Sequence, residues 1–248
     1  LDINPFSDEF VNQEIKFMEL DSQNTLEFKG IEIRHKPLFN QLDDYLNRRY
    51  RIGELTVPVF GIDGRLWMSM TPMEIQSNFL AWATATGDVG MGGLGMGYTA
   101  LRAAAQEDVY KVTVFEKDKR VIDLFVKQYD HRPEFEKIVI NHGDAREMFN
   151  GFTFDFVYMD IYDTSLSDAM LTDYQLFNSA NTIGEYHFWS EEKIILAGIV
   201  EHLITARDIS YQQLMYFQEW QKTEEAEMYD PVYDIPYVAK ALEIMGLY

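Results

Sequence analysis

The chain has 248 residues, 47% of them apolar and 15% aromatic, and 41 acidic against 21 basic side chains give a formal net charge of −20. That length and apolar content suit one large folded unit, or a core with a smaller appendage, and exclude an intrinsically disordered chain. The absence of cysteine removes disulfides, thiolate metal sites and thiol catalysis, and the charge opposes a phosphate backbone, so no nucleic-acid partner is expected.

No uninterrupted apolar run of about 18 residues occurs, so no membrane partner is expected. The first ten residues lack the basic-then-apolar pattern of a secretion signal, and a cytoplasmic location is the expectation. Ser7-Asp8-Glu9 can cap a first helix running toward Asp21. Pro37–Tyr50 reads as a second short helix, and the basic run Arg48-Arg49-Tyr50-Arg51 reads as its solvated end. Leu55–Phe60 and Arg65–Met70 read as strands joined by the turn residues Gly61-Ile62-Asp63-Gly64, and Pro58 is expected to place the first strand at a sheet edge. In Thr71-Pro72-Met73-Glu74 a threonine cap, a first-turn proline and a third-position glutamate predict a capping box opening a helix to about Ala85.

Strands and helices then alternate. Asp88–Gly92, Lys111–Phe115, Lys137–Asn141 and Phe154–Met159 read as strands, and Thr182–Trp189 as a fifth. Tyr98–Gln106, Asp118–Tyr129, Asp144–Phe149 and Leu166–Phe177 read as the helices between them. That rhythm implies an α/β fold with a parallel sheet. Glu191–Ala206, Ser210–Glu225 and Ile235–Met245 read as helices. The chain thus divides into N-terminal helices and a hairpin over 1–86, an α/β core over 87–190, and a helical region over 191–248.

Four features in the core carry chemistry. Gly93-Leu94-Gly95-Met96-Gly97 lies between a strand and a helix, where glycines let the backbone turn sharply and approach a ligand. A plain glycine-rich turn would look the same in isolation. Glu116 ends the next strand, roughly 20 residues on, where an acid can accept from ribose hydroxyls; its alternative is a surface pair with Lys117 or Lys119. Asp144, in Gly143-Asp144-Ala145, sits at the carboxyl edge of the sheet, able to accept from an adenine amino group, to cap a helix, or both. Asp160 closes an apolar strand, a poor place for packing and a good one for chemistry, and Asp163 follows it as either a second site acid or a loop cap. The five histidines show no metal-ligand spacing.

Together these features resemble the class I S-adenosylmethionine-dependent methyltransferase superfamily, and most of all its spermidine-synthase-like branch, over about Leu55–Phe177. The resemblance implies a Rossmann-like methyltransferase sheet with helices on both faces, an N-terminal β-hairpin and a helical C-terminal extension. It implies S-adenosyl-L-methionine as the cofactor, held by Gly93, Gly95 and Gly97, with Glu116 on the ribose and Asp144 on the adenine side. Asp160 and Asp163 match its paired-aspartate motif, whose first member deprotonates the attacking amine in aminopropyltransferases. Three departures stand out: no acid lies within the glycine loop, which points away from decarboxylated S-adenosylmethionine; Asp88-Val89-Gly90-Met91-Gly92 is glycine-rich for a first strand; and no late antiparallel strands are evident. The expected partner is a small-molecule acceptor, cationic if the acidic surface guides it, with a homodimer open to the chain. Methyl transfer leads; aminopropyl transfer, a non-catalytic binding protein and, more distantly, a nicotinamide-dependent dehydrogenase are the alternatives.

Overall fold

The computed structural model describes residues 5, 7–45, 48–162 and 169–191. Helix α1 (Asp8–Phe17) begins where the Ser7 hydroxyl accepts from the Phe10 amide at 3.2 Å, satisfying one of the free first-turn donors. Strands β1 (Leu26–Phe28), β2 (Ile31–Tyr45), β3 (Arg48–Ile62) and β4 (Arg65–Ser69) then form an antiparallel sheet in chain order.

Two expectations fail in this sheet. Residues 37–45 and 48–50 are not helical but form the outer part of a long β2–β3 ladder, in which Pro37 pairs with Thr56, Leu38 with Leu55 and Tyr45 with Arg48. Local propensity is a weak prior, and a continuous cross-strand ladder outweighs it. Arg48, Arg49 and Arg51 therefore lie in a strand, not at a helix end. Nor is the strand holding Pro58 an edge: β3 lies between β2 and β4. The proline is tolerated because the β4 ladder ends at Ser69, opposite Val59. The missing N–H therefore falls where that ladder stops, and the Pro58 carbonyl accepts from the Met70 amide at 2.9 Å.

Helix α2 (Pro72–Thr84) leads into the second sheet. There β5 (Gly87–Gly92), β6 (Val109–Glu116), β7 (Ile138–His142), β8 (Thr153–Met159) and β9 (Thr182–Phe188) run parallel in the order β7-β6-β5-β8-β9. The connections carry α3 (Tyr98–Ala104), α4 (Lys119–Tyr129), α5 (Ala145–Met148) and α6 (Ala169–Ala180). Along β8, Phe156 and Tyr158 join one buried cluster while Val157 and Met159 join another, so both faces of the sheet are covered. This is the Rossmann-like arrangement expected. The order reverses direction at β5, and a crevice forms at the carboxyl ends of strands at such a switch point. The helices expected beyond Glu191, and the question of late antiparallel strands, lie outside the described residues.

The glycine-rich β5 is not a weak strand, since it pairs with β6 on one side and β8 on the other. Gly90 is there because an aromatic cluster fills the space a side chain would take. A Cβ on Gly90 would stand 2.8 Å from the Phe154 ring and 2.9 Å from the Phe149 ring. Phe149 in turn packs against Phe154, Phe115 and Phe177 with ring centroids 5.0, 5.0 and 5.3 Å away. Helix α1 is tied to α3 by Glu14, which is 1% exposed, pairs with Arg102, and accepts from the Tyr98 hydroxyl at 2.8 Å. Tyr98 opens α3, so this buried contact fixes the helix that leaves the glycine loop.

Overpacking a filled core typically costs about 1–3 kcal/mol. Gly90→Ala should therefore lower unfolding free energy by about that much, seen as a lower urea midpoint with an unchanged slope. A variant as stable as the parent would refute this account of the glycine.

Candidate functional site

A cleft of about 350 Å³ opens at the carboxyl ends of β5, β6, β7 and β8. The glycine loop forms its floor. Gly93 has φ +86°, and a Cβ there would lie 2.1 Å from the Asp160 carbonyl oxygen, so no other residue fits. The Gly93 amide donates to the Phe115 carbonyl and the Asp160 amide to the Gly92 carbonyl, both at 2.9 Å. Gly95 also lines the cleft, and Gly97 caps α3 in the left-handed conformation.

Glu116 is held from two sides: its carboxylate accepts from the Leu94 amide at 3.0 Å and the Asp118 amide at 2.7 Å. Burial raises its pKa, and the two amide donors pull it back. Asp144 lines the cleft while its side chain accepts from the Arg146 amide at 2.9 Å at the start of α5, so the capping reading holds. Arg146 is engaged by Asp173 of α6 at 2.7 Å. His142 is exposed beside this segment. The structure thus brings Gly93, Gly95, Glu116, Asp144 and Asp160 to one cleft. Asp163 lies outside the described residues.

The hairpin turn of the first sheet forms the opposite wall. Leu66, Trp67 and Met68 of β4 line the cleft, and the Met68 sulfur accepts from the Met96 amide at 3.3 Å. Arg120 of α4 bridges Asp63, in the β3–β4 turn, at 2.8 Å and Asp118 at 2.7 Å. Since the Asp118 amide donates to Glu116, one chain of contacts runs from the hairpin to the acid that ends β6.

Glu74 is the site residue that sequence reasoning missed. Thr71 does cap α2, accepting from the Glu74 amide at 3.4 Å. The Glu74 carboxylate, however, lines the cleft and accepts from Asn78 Nδ2 at 3.2 Å. Asn78 is fixed in turn, its Oδ1 accepting from Thr99 Oγ1 at 2.8 Å and the Tyr158 hydroxyl at 3.1 Å. A signal was present: Glu74 and Asn78 are four apart, a polar pair on one helix face that otherwise runs to Phe79 and Trp82. The capping pattern already explained Glu74, so that pairing went unread.

Glu74 and Asp160 each keep some surface open to the cleft while lying deep in the protein. Burial pushes Asp160 up to about 7. Burial, and then the negative charge of Asp160, push Glu74 up to about 8, with the Asn78 hydrogen bond opposing.

No family model and no curated protein matches the chain. Among solved structures it is similar to spermidine synthase from Thermotoga maritima, at 14% identity over 90% of this chain and 62% of that one, with a TM-score of 0.39. It is also similar to the CcbJ methyltransferase from Streptomyces caelestis, at 15% identity over 45% of this chain and 49% of that one, TM-score 0.36. A third is precorrin 8w decarboxylase from Methanobacterium thermoautotrophicum, at 16% identity over 54% and 72%, TM-score 0.38. The chain spans less than two thirds of the length of the first two. Likeness at this level carries no argument about activity, which must come from the cleft.

The two raised acids have a consequence for stability. An acid whose folded pKa lies above its unfolded value stabilises the fold while protonated, and that contribution fades as pH rises through the folded value. For Asp160 the window runs from its ordinary 3.8 to about 7, and for Glu74 from 4.5 to about 8. Glu74→Gln should therefore lose less stability than the parent between pH of about 5 and about 8.5, measured as urea midpoints across pH. Parallel curves for the two proteins would contradict the raised value.

Proposed function

We propose that the chain is an S-adenosylmethionine-dependent transferase, with a methyl group as its cargo and a small molecule as its acceptor. The observation that carries this reading is the arrival of Glu116, Asp144 and Asp160 at the carboxyl ends of three strands around one glycine turn, in a single cleft. The volume of about 350 Å³ falls within the usual range for small-molecule sites.

The donor set fits the cofactor. A carboxylate offers about four lone-pair sites. Backbone amides use two of those on Glu116, which leaves acceptor capacity for a pair of ribose hydroxyls. Asp144 retains acceptor sites beside the Arg146 amide, enough for an adenine amino group. Gly93 and Gly95 line the cleft without side chains, so the rest of the ligand can lie against them, and Gly97 turns the chain into α3. When bound, the cofactor supplies a methyl group already activated on a sulfonium. What remains for the chain is alignment and, where the acceptor carries a proton, its removal. Asp160, with a pKa of about 7, is suited to take that proton near neutrality. Asp163 keeps the second-acid role that the resemblance implies.

Calorimetric titration with S-adenosylhomocysteine tests the reading. Binding is expected, with Glu116→Ala weakening it about tenfold or more through lost charged hydrogen bonds. No heat with either S-adenosylmethionine or S-adenosylhomocysteine would sink the transferase reading.

Aminopropyl transfer is the second reading, on one observation. The glycine loop lacks the acid that decarboxylated S-adenosylmethionine calls for, but Glu74 brings a carboxylate into the same cleft from α2. Product analysis with that donor and 1,4-diaminobutane decides it, and absence of a new polyamine removes it.

A further inference from the structure

We infer that Glu74 is a specificity-determining residue: with Asp160 it forms a recognition site for an aliphatic ammonium group at the back of the cleft. This deepens the transferase reading and rests on the cleft being its site.

The cleft is lined by charged side chains of two kinds. Arg65, Lys117 and Arg146 are its cations, and of its five acids three already have partners. Glu116 accepts from two backbone amides, Asp144 caps α5, Asp118 is bridged by Arg120, and Arg146 is bound by Asp173. Glu74 and Asp160 differ. The influences on Glu74 are burial, the charge of Asp160 and a hydrogen bond from the neutral Asn78 amide, and the one on Asp160 is burial. No cation among the described residues acts on either. Asp160 has no side-chain hydrogen-bond partner among the described residues, and it lines the cleft while only half-buried.

Two acids sharing one cleft, partly desolvated and with no counter-charge among the described residues, work against folding. Perturbed groups of this kind concentrate where a ligand compensates them. A compact cation with several N–H donors does so for both acids at once. Tyr158 and Trp189 line the same cleft and offer aromatic surface, which favours a cation over a neutral alcohol. The orientation is fixed in advance: Asn78 holds the Glu74 carboxylate while Thr99 and Tyr158 hold Asn78. Such pre-organisation is what selectivity requires.

An ammonium could come from the amino-acid end of the cofactor or from an amine acceptor, and the two are separable. The parent protein, Glu74→Gln and Glu74→Asp are titrated with S-adenosylhomocysteine, with methylthioadenosine, which lacks the amino-acid end, and with 1,4-diaminobutane against the neutral 1,4-butanediol. The amines are titrated with and without S-adenosylhomocysteine present. If the cofactor's ammonium is recognised, Glu74→Gln weakens S-adenosylhomocysteine about tenfold or more and leaves methylthioadenosine unchanged. If the acceptor's is recognised, S-adenosylhomocysteine is unchanged and 1,4-diaminobutane loses about tenfold or more, with partial recovery in Glu74→Asp.

Either pattern supports the proposal. It is overturned if Glu74→Gln, folded by circular dichroism, binds every amine ligand as the parent does, or if the parent prefers the diol. Should the parent bind neither S-adenosylhomocysteine nor methylthioadenosine, the transferase reading fails on its own. The diamine and diol titrations without cofactor still decide the ammonium site.

Discussion

The fit of Gly93 against the Asp160 carbonyl is the contact on which the rest of this structure turns. With only 2.1 Å between that oxygen and the place of a side-chain carbon, the glycine loop can lie directly over the end of β8. The backbone bonds Gly93 to Phe115 and Asp160 to Gly92 then hold the ends of β6, β5 and β8 in one layer. A larger residue at 93 would lift the loop and separate Glu116 from Asp160. The cleft is therefore a product of backbone packing first, and of its charged side chains second.

Around that layer, charge is distributed with a clear asymmetry. The outer acids find counter-charges: Asp63 and Asp118 share Arg120, and Asp173 holds Arg146. These pairs fasten the antiparallel hairpin and α6 onto the parallel core. The inner acids Glu74 and Asp160 have none among the described residues, and burial raises both. A protein with a net charge of −20 gains nothing in solubility from two acids in a crevice. Their position fits the proposed recognition of a positively charged group in the cleft.

Much of the core was legible because its signals are local. Val121, Ile122, Leu124 and Phe125 repeat with helical spacing and bury one face of α4, and the apolar run at Phe154–Met159 is a strand covered on both sides. Ser7, Thr71, Asp118 and Asp144 all act as the caps their residue types suggest. The first sheet was less legible. Pro37–Tyr50 carries residues compatible with a helix, and what makes it a strand is a partner some twenty residues away, Thr56 for Pro37 and Leu55 for Leu38. Pro58 likewise needed knowledge of where β4 ends, which no local pattern supplies.

By itself, the sequence determined the alternation of strands and helices, the place of the glycine turn, and the acids that end successive strands. Those depend on periodicity and on residue chemistry within a few positions. Only the tertiary structure decided the strand order, and with it which acids share a cleft. It turned Gly90 of β5 from a weakness into room for Phe149 and Phe154. It also turned Glu74 from half of a capping box into a half-buried acid that shares a cleft with Asp160. The reason is the same in each case: a side chain's environment is set by residues distant in sequence, and burial, close approach and uncompensated charge exist only once the chain has brought them together.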